Sequence, residues 1–101
     1  MSNVAVVARL SAQPGKRDDL VAALQAALDN AESEPGTRYY ILHTDDKDAD
    51  AVWFYELYGS AEDLKAHSTS DAFKALGPTL ASLLAGRPEL TFLTPVGGKG
   101  L

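Results

Sequence analysis

The sequence predicts an α+β domain with the element order βαββαβ around one antiparallel sheet. Three observations predict it. Runs rich in β-branched, aliphatic and aromatic residues recur at 3–11, 37–44, 51–58 and 89–96. Apolar residues at helical spacing occupy the two long intervals between those runs. Only the polar stretch Asp45-Asp46-Lys47-Asp48-Ala49-Asp50 separates the second run from the third, which makes those two a hairpin.

The elements follow in order. Residues 3–11 (NVAVVARLS) read as the first strand, ended by Pro14-Gly15, with Pro14 placed to open the next helix. Leu20, Val21, Leu24 and Leu28 form a helical stripe running to about Ser33, and Pro35-Gly36 stops it. Residues 37–44 (TRYYILHT) and 51–58 (AVWFYELY) are the hairpin strands. Ser60 with Asp63 is close to a capping box, starting a helix that carries Leu64 and His67. Ser70 reads as a second N-cap, after which Phe73, Leu76, Leu80, Leu83 and Leu84 continue the 3.6-residue period. Pro78 must kink or divide that stretch, because it lacks an N–H donor. Residues 89–96 (ELTFLTPV) form the last strand. This order is ferredoxin-like, which puts the first and third strands, the most apolar ones, in the sheet centre. Residues 1–96 are expected to form one domain, with the glycine-rich 97–101 a flexible tail.

Composition narrows the function. The chain has 101 residues, enough for a single domain. It has no cysteine, which excludes disulfides, thiolate metal sites and thiol nucleophiles. A formal net charge of −5 argues against nucleic-acid binding. No apolar run approaches the roughly 20 residues of a membrane helix, and no signal-peptide pattern opens the chain. A cytoplasmic domain without a membrane partner is therefore expected.

The strands are apolar on both faces. Val52, Phe54 and Tyr58 alternate with Trp53, Tyr55 and Leu57, and Val4, Val6, Ala8 and Leu10 alternate with Ala5 and Val7. Two helices cover one face of such a sheet. A monomer would leave the other as an apolar patch beyond the few hundred Å² that is usual. A two-fold homodimer packed sheet against sheet is the expected solution.

Few residues can carry chemistry. His67 stands on the apolar side of the second helical segment, where an imidazole can act as a general base or donate to a substrate oxygen. It can equally be a half-buried structural histidine. His43, beside the acidic loop, reads as a solvated edge residue. Glu56 shares a face with Phe54 and Tyr58. There it is a structural partner, for instance of Arg9 or Arg38, or a base with a raised pKa. Tyr39, Tyr40, Trp53, Tyr55, Tyr58 and Phe73 supply core, interface or the walls of a flat pocket. The four aspartates of 45–50 lack the glycine and terminal glutamate of an EF-hand loop and read as a hairpin tip. No glycine-rich phosphate loop and no metal-ligand spacing occurs, so no nucleotide, flavin or metal cofactor is expected.

Glu34-Pro35-Gly36-Thr37, then Tyr55-Glu56-Leu57-Tyr58, then His67 with Ser70 and Phe73, stand in an order and spacing that resemble the antibiotic biosynthesis monooxygenase family, and the opening Val-Ala-Arg-Leu…Pro-Gly-Lys fits too. The resemblance implies a dimeric α+β barrel of two ferredoxin-like chains. It implies cofactor-independent oxygenation of quinols, anthrones or similar aromatics by O₂. In that reading His67 is the base or hydrogen-bond donor; Trp53, Tyr58 and Phe73 are wall residues; Asn3 and Tyr40 are polar contacts. The chain departs from the family pattern at Ala72, where many relatives have histidine, and at Tyr58, where many have tryptophan. A related haem-degrading branch places its iron ligand at the position of Gly77, which cannot ligate iron. The competing readings are a non-catalytic dimer that binds a small hydrophobic ligand and a solidly packed structural dimer.

Overall fold

The computed structural model describes residues 3–101. In chain order the elements are β1 (Val4–Ser11), α1 (Arg17–Ala31), β2 (Thr37–Thr44), β3 (Ala51–Tyr58), α2 (Ala61–Ser68), α3 (Asp71–Ala75), α4 (Gly77–Leu83) and β4 (Glu89–Leu93). The strands form one antiparallel sheet in the order β2-β3-β1-β4. The apolar first and third strands are central, as the ferredoxin-like pattern requires.

Register sorts the side chains. Val6 lies opposite Glu56 and Phe92, Ala8 opposite Phe54 and Leu90, and Leu10 opposite Val52. Tyr40 pairs with Glu56 and Leu42 with Phe54. Because alternate residues share a face, all of these and Tyr58 project to the side that α1–α4 cover. Ala8, Leu10, Ala12, Leu20, Leu24, Val52 and Phe54 are the buried core there, flanked by Leu80, Leu83 and Leu84. Leu20 and Leu24 are sealed from solvent, and each such burial contributes about 1.5–3 kcal/mol. Val7, Trp53, Tyr55, Ile41 and Leu93 occupy the opposite face, where Ile41 and Leu93 are 45% and 47% exposed. Gly100 and Leu101 return to that face beside Leu57.

Element ends follow local chemistry. Pro14 does not open α1. Pro14-Gly15 is a turn in which Gly15 takes φ +76°, a left-handed conformation suited to glycine, and the helix starts three residues after Pro14, with Asp18 and Asp19 in its first turn. α1 ends at Ala31, short of Ser33, because the chain tightens through Ser33 N–H to Asn30 O (3.0 Å) and Glu34 N–H to Ala31 O (3.1 Å). Ser60 Oγ accepts from Asp63 N–H at the start of α2, and Ser70 Oγ from Phe73 N–H at the start of α3. Pro78 divides the stretch and stands in the first turn of α4, where its missing N–H costs nothing. β4 stops at Leu93 rather than residue 96, since Pro95 cannot donate to the ladder. Arg17 Nη1 donates to the carbonyls of Asp45 (2.8 Å) and Asp48 (3.0 Å), fixing the hairpin loop.

Candidate functional site

The turn between α1 and β2 delivers the first functional side chain. Thr37 N–H donates to Glu34 O (3.2 Å), and Gly59 N–H to Gly36 O (3.0 Å), so the turn lies against the end of β3. Gly36 has no Cβ where the Asp63 carboxylate stands. The first turn of α2 therefore packs directly on it. One consequence is that His67, two turns into the sequence from the Ser60 cap, meets Glu34: Nδ1 lies 2.8 Å from Oε1. Both side chains are largely buried. The Glu34 carboxylate is held from two further sides, by Thr37 Oγ1 on Oε1 (2.9 Å) and Asn30 Nδ2 on Oε2 (3.1 Å).

That contact fixes the imidazole. A carboxylate accepts Nδ1–H, leaving the lone pair of a neutral ring on Nε2. Among the described residues Nε2 has no protein partner, and no buried side-chain nitrogen or oxygen is sealed off unpaired, so Nε2 reaches open space. Around the ring stand Tyr40, Tyr58 and Phe73, with centroids 4.9, 5.4 and 5.3 Å away. Tyr40 also stacks on Phe54 at 4.6 Å.

Between the sheet and α2–α4 is a cavity of about 440 Å³, within the size range of small-molecule sites. Val6, Leu24, Phe54, Phe73, Leu80 and Phe92 are among its apolar walls; Tyr40, Glu56, Lys65, His67 and Ser68 are its polar ones. Glu56 is 8% exposed. Burial raises its pKa above the usual glutamate value, opposed by the Tyr58 hydroxyl and the neighbouring His67. Tyr58 donates to Glu56 Oε1 at 2.5 Å. Burial, then the charge of Glu56, pushes the Tyr40 hydroxyl up. The Tyr58 hydroxyl is pushed up by burial, then by its hydrogen bond to Glu56. Both phenols are held protonated, and that of Tyr58 donates.

The structure brings His67, Tyr40, Phe73 and Glu56 together on this cavity. Tyr58 lies beneath it, fully buried. Trp53 stands on the opposite sheet face, its indole N–H on Asp45 Oδ2 (2.8 Å) and the Arg9 guanidinium 5.8 Å above its ring. Asn3 borders a separate depression with Tyr39, Leu57 and Leu101. Neither Arg9 nor Arg38 is the partner of Glu56. Arg9 projects from the other face and bonds Asp48 (2.6 Å), while Arg38 lies by Gly59; the Tyr58 hydroxyl, one strand repeat away, takes that place. His43 is exposed, with Nδ1 3.3 Å from Trp53 O. Glu34 is the candidate residue that composition and periodicity passed over; its signal was its place immediately before Pro35-Gly36, the turn that aims it at α2.

Residues 3–77 match the family model described as antibiotic biosynthesis monooxygenase. Among solved structures, a Caulobacter crescentus CB15 protein provisionally named an antibiotic biosynthesis monooxygenase is similar at 32% identity and a TM-score of 0.88, over 95% of this chain and 92% of that one. A Chloroflexus aurantiacus J-10-fl protein with the same provisional name is 33% identical with a TM-score of 0.82, over 98% of both chains. Rv0793 from Mycobacterium tuberculosis is 29% identical with a TM-score of 0.87, over 98% of this chain and all of that one. No curated protein matches the chain. Among the described residues no helix is long and apolar enough to cross a membrane.

Proposed function

The chain belongs to the antibiotic biosynthesis monooxygenase family, and on that premise we propose that it oxidises a quinol, anthrone or similar hydroxylated aromatic with O₂, without a flavin, haem or metal. The observation that carries this reading is the Glu34–His67 pair set into an apolar, aromatic-walled cavity. A ring held among Tyr40, Phe54 and Phe73 presents a hydroxyl to His67 Nε2. The imidazole takes the proton, and the resulting cation is stabilised by Glu34, whose carboxylate is itself largely buried. The electron-rich anion then reduces O₂ directly. For a quinol the sum is quinol plus O₂ giving hydroxyquinone plus water, with both electron pairs supplied by the substrate. The imidazolium returns its proton to the leaving oxygen.

The test is oxygen uptake by metal-free, flavin-free protein with quinols and anthrones. Uptake should exceed autoxidation and fall roughly 10²-fold in His67→Ala, a typical general-base contribution. Glu34→Gln should lose about as much, because an amide N–H facing Nδ1 selects the wrong tautomer. Uptake indifferent to both substitutions would remove the pair from the mechanism. Ligand binding without uptake would favour the binding-module alternative.

The same reading extends to the open sheet face, which packs against a second copy to form the dimeric barrel. Support comes from Tyr39, Ile41 and Leu93, large apolar side chains 43–47% exposed on one surface. Trp53 belongs to this surface. Val6, by contrast, is 2% exposed on the helix-covered face, so a charge there strikes the core and not the dimer.

A further inference from the structure

Glu56 is a second acceptor in the cavity, on a different wall from His67. Its Oε1 is occupied by the Tyr58 hydroxyl. Its Oε2 has no hydrogen-bond partner among the described residues, and no buried oxygen is sealed without one, so Oε2 opens into the cavity that Glu56 lines. An acceptor facing a mainly apolar space favours a ligand that donates to it, since a ligand without the donor leaves it desolvated and unpaired. His67 rises from α2, whereas Glu56 stands on the central strand β3. Both line the one cavity, so a ring system held there has both as polar neighbours.

We infer that Glu56 reads a second hydroxyl, so that the protein selects aromatics carrying two hydroxyls on separated ring positions, one directed to His67 and the other to Glu56, over their singly hydroxylated or O-methylated analogues. This rests on the oxygenase reading of the cavity only for the identity of the ring. Recognition itself is a binding property. A site built to bond a hydroxyl rejects the analogue lacking it far more strongly than an apolar pocket rejects a size difference.

The experiment is anaerobic titration calorimetry with 1,4-dihydroxynaphthalene and 4-methoxy-1-naphthol, which share a skeleton and differ in one donor. Wild-type protein should bind the diol roughly tenfold or more tightly than the ether. Glu56→Leu should abolish that preference by weakening the diol alone. In Glu56→Gln the amide oxygen stays with Tyr58 and the amide N–H faces the cavity, so the preference should shift toward the ether; this isosteric variant decides the matter if the leucine variant does not fold. Equal wild-type affinities, no binding of either probe, or a preference unchanged in a folded Glu56 variant would each overturn the inference. A Glu56-dependent preference without any aerobic oxygen uptake would uphold it while removing the oxygenase reading.

Discussion

At the scale of single residues the decisive property of Glu56 is its cost. Burial disfavours its charged form, and the Tyr58 hydroxyl and His67 recover only part of that. The native state therefore binds the Glu56 proton more tightly than the unfolded chain, whose carboxyl titrates near its usual 4.5. Stability from this group is present below that pH and declines as pH rises through the higher native value. The groups facing it are Tyr58, His67 and Tyr40. Comparing urea unfolding of wild type and Glu56→Gln from pH 4 to 8, the difference should turn against the wild type as pH increases; a difference moving the other way would refute the assignment. Part of this was legible beforehand. Residues 56 and 58 share a strand face by geometry alone, so a Tyr–Glu contact lay within the pattern. Which partner would win was not, because Arg9 and Arg38 could be set aside only once the sheet face covered by helices was known.

At the scale of elements the site depends on how closely α2 approaches the α1–β2 turn. Gly36 is required there for space, since its φ is not left-handed and a Cβ would overlap the Asp63 carboxylate. Gly36→Ala should cost about 1–3 kcal/mol through overpacking and lower activity by moving His67 off Glu34. The Asp63 Cβ would itself stand 2.6 Å from the new methyl, so Asp63→Gly rather than Asp63→Ala should restore part of the stability in the same chain, read by urea denaturation, and an additive double variant would show that the two positions do not meet. Capping made much of this region readable: Ser60 and Ser70 mark helix starts by short-range hydrogen bonds, and Pro78 marks a division by what it lacks. The Glu34–His67 contact joins residues 33 apart in sequence. It depends on the docking of a turn against a helix, which no local spacing encodes.

At the scale of the whole molecule, alternation along β1 and β3 revealed two apolar faces, and the sheet order followed from the ferredoxin-like element order, with which the apolarity of the first and third strands agrees. The pattern did not reveal which face carries the cavity, and Trp53 and Tyr40 were for that reason indistinguishable as wall residues. If the open face is the dimer surface, wild-type protein should scatter light as a dimer, and Ile41→Lys as a monomer with an unchanged far-ultraviolet circular dichroism spectrum; a monomeric wild type at tens of micromolar would defeat the argument. The carboxylate and the imidazole come from opposite halves of the chain, Glu34 following α1 and His67 lying on the second crossover; the sheet itself joins those halves through β1–β3, β1–β4 and β2–β3, so the pair parts without loss of the sheet only where α2 lifts from the α1–β2 turn. Competence is thus a property of the junction, the kind of contact that opens sub-globally before the core does. In a denaturant series turnover should vanish at a lower urea concentration than the bulk of the ellipticity, giving the protein a folded but inert intermediate regime; coincident transitions would show that α2 leaves the turn only when everything unfolds.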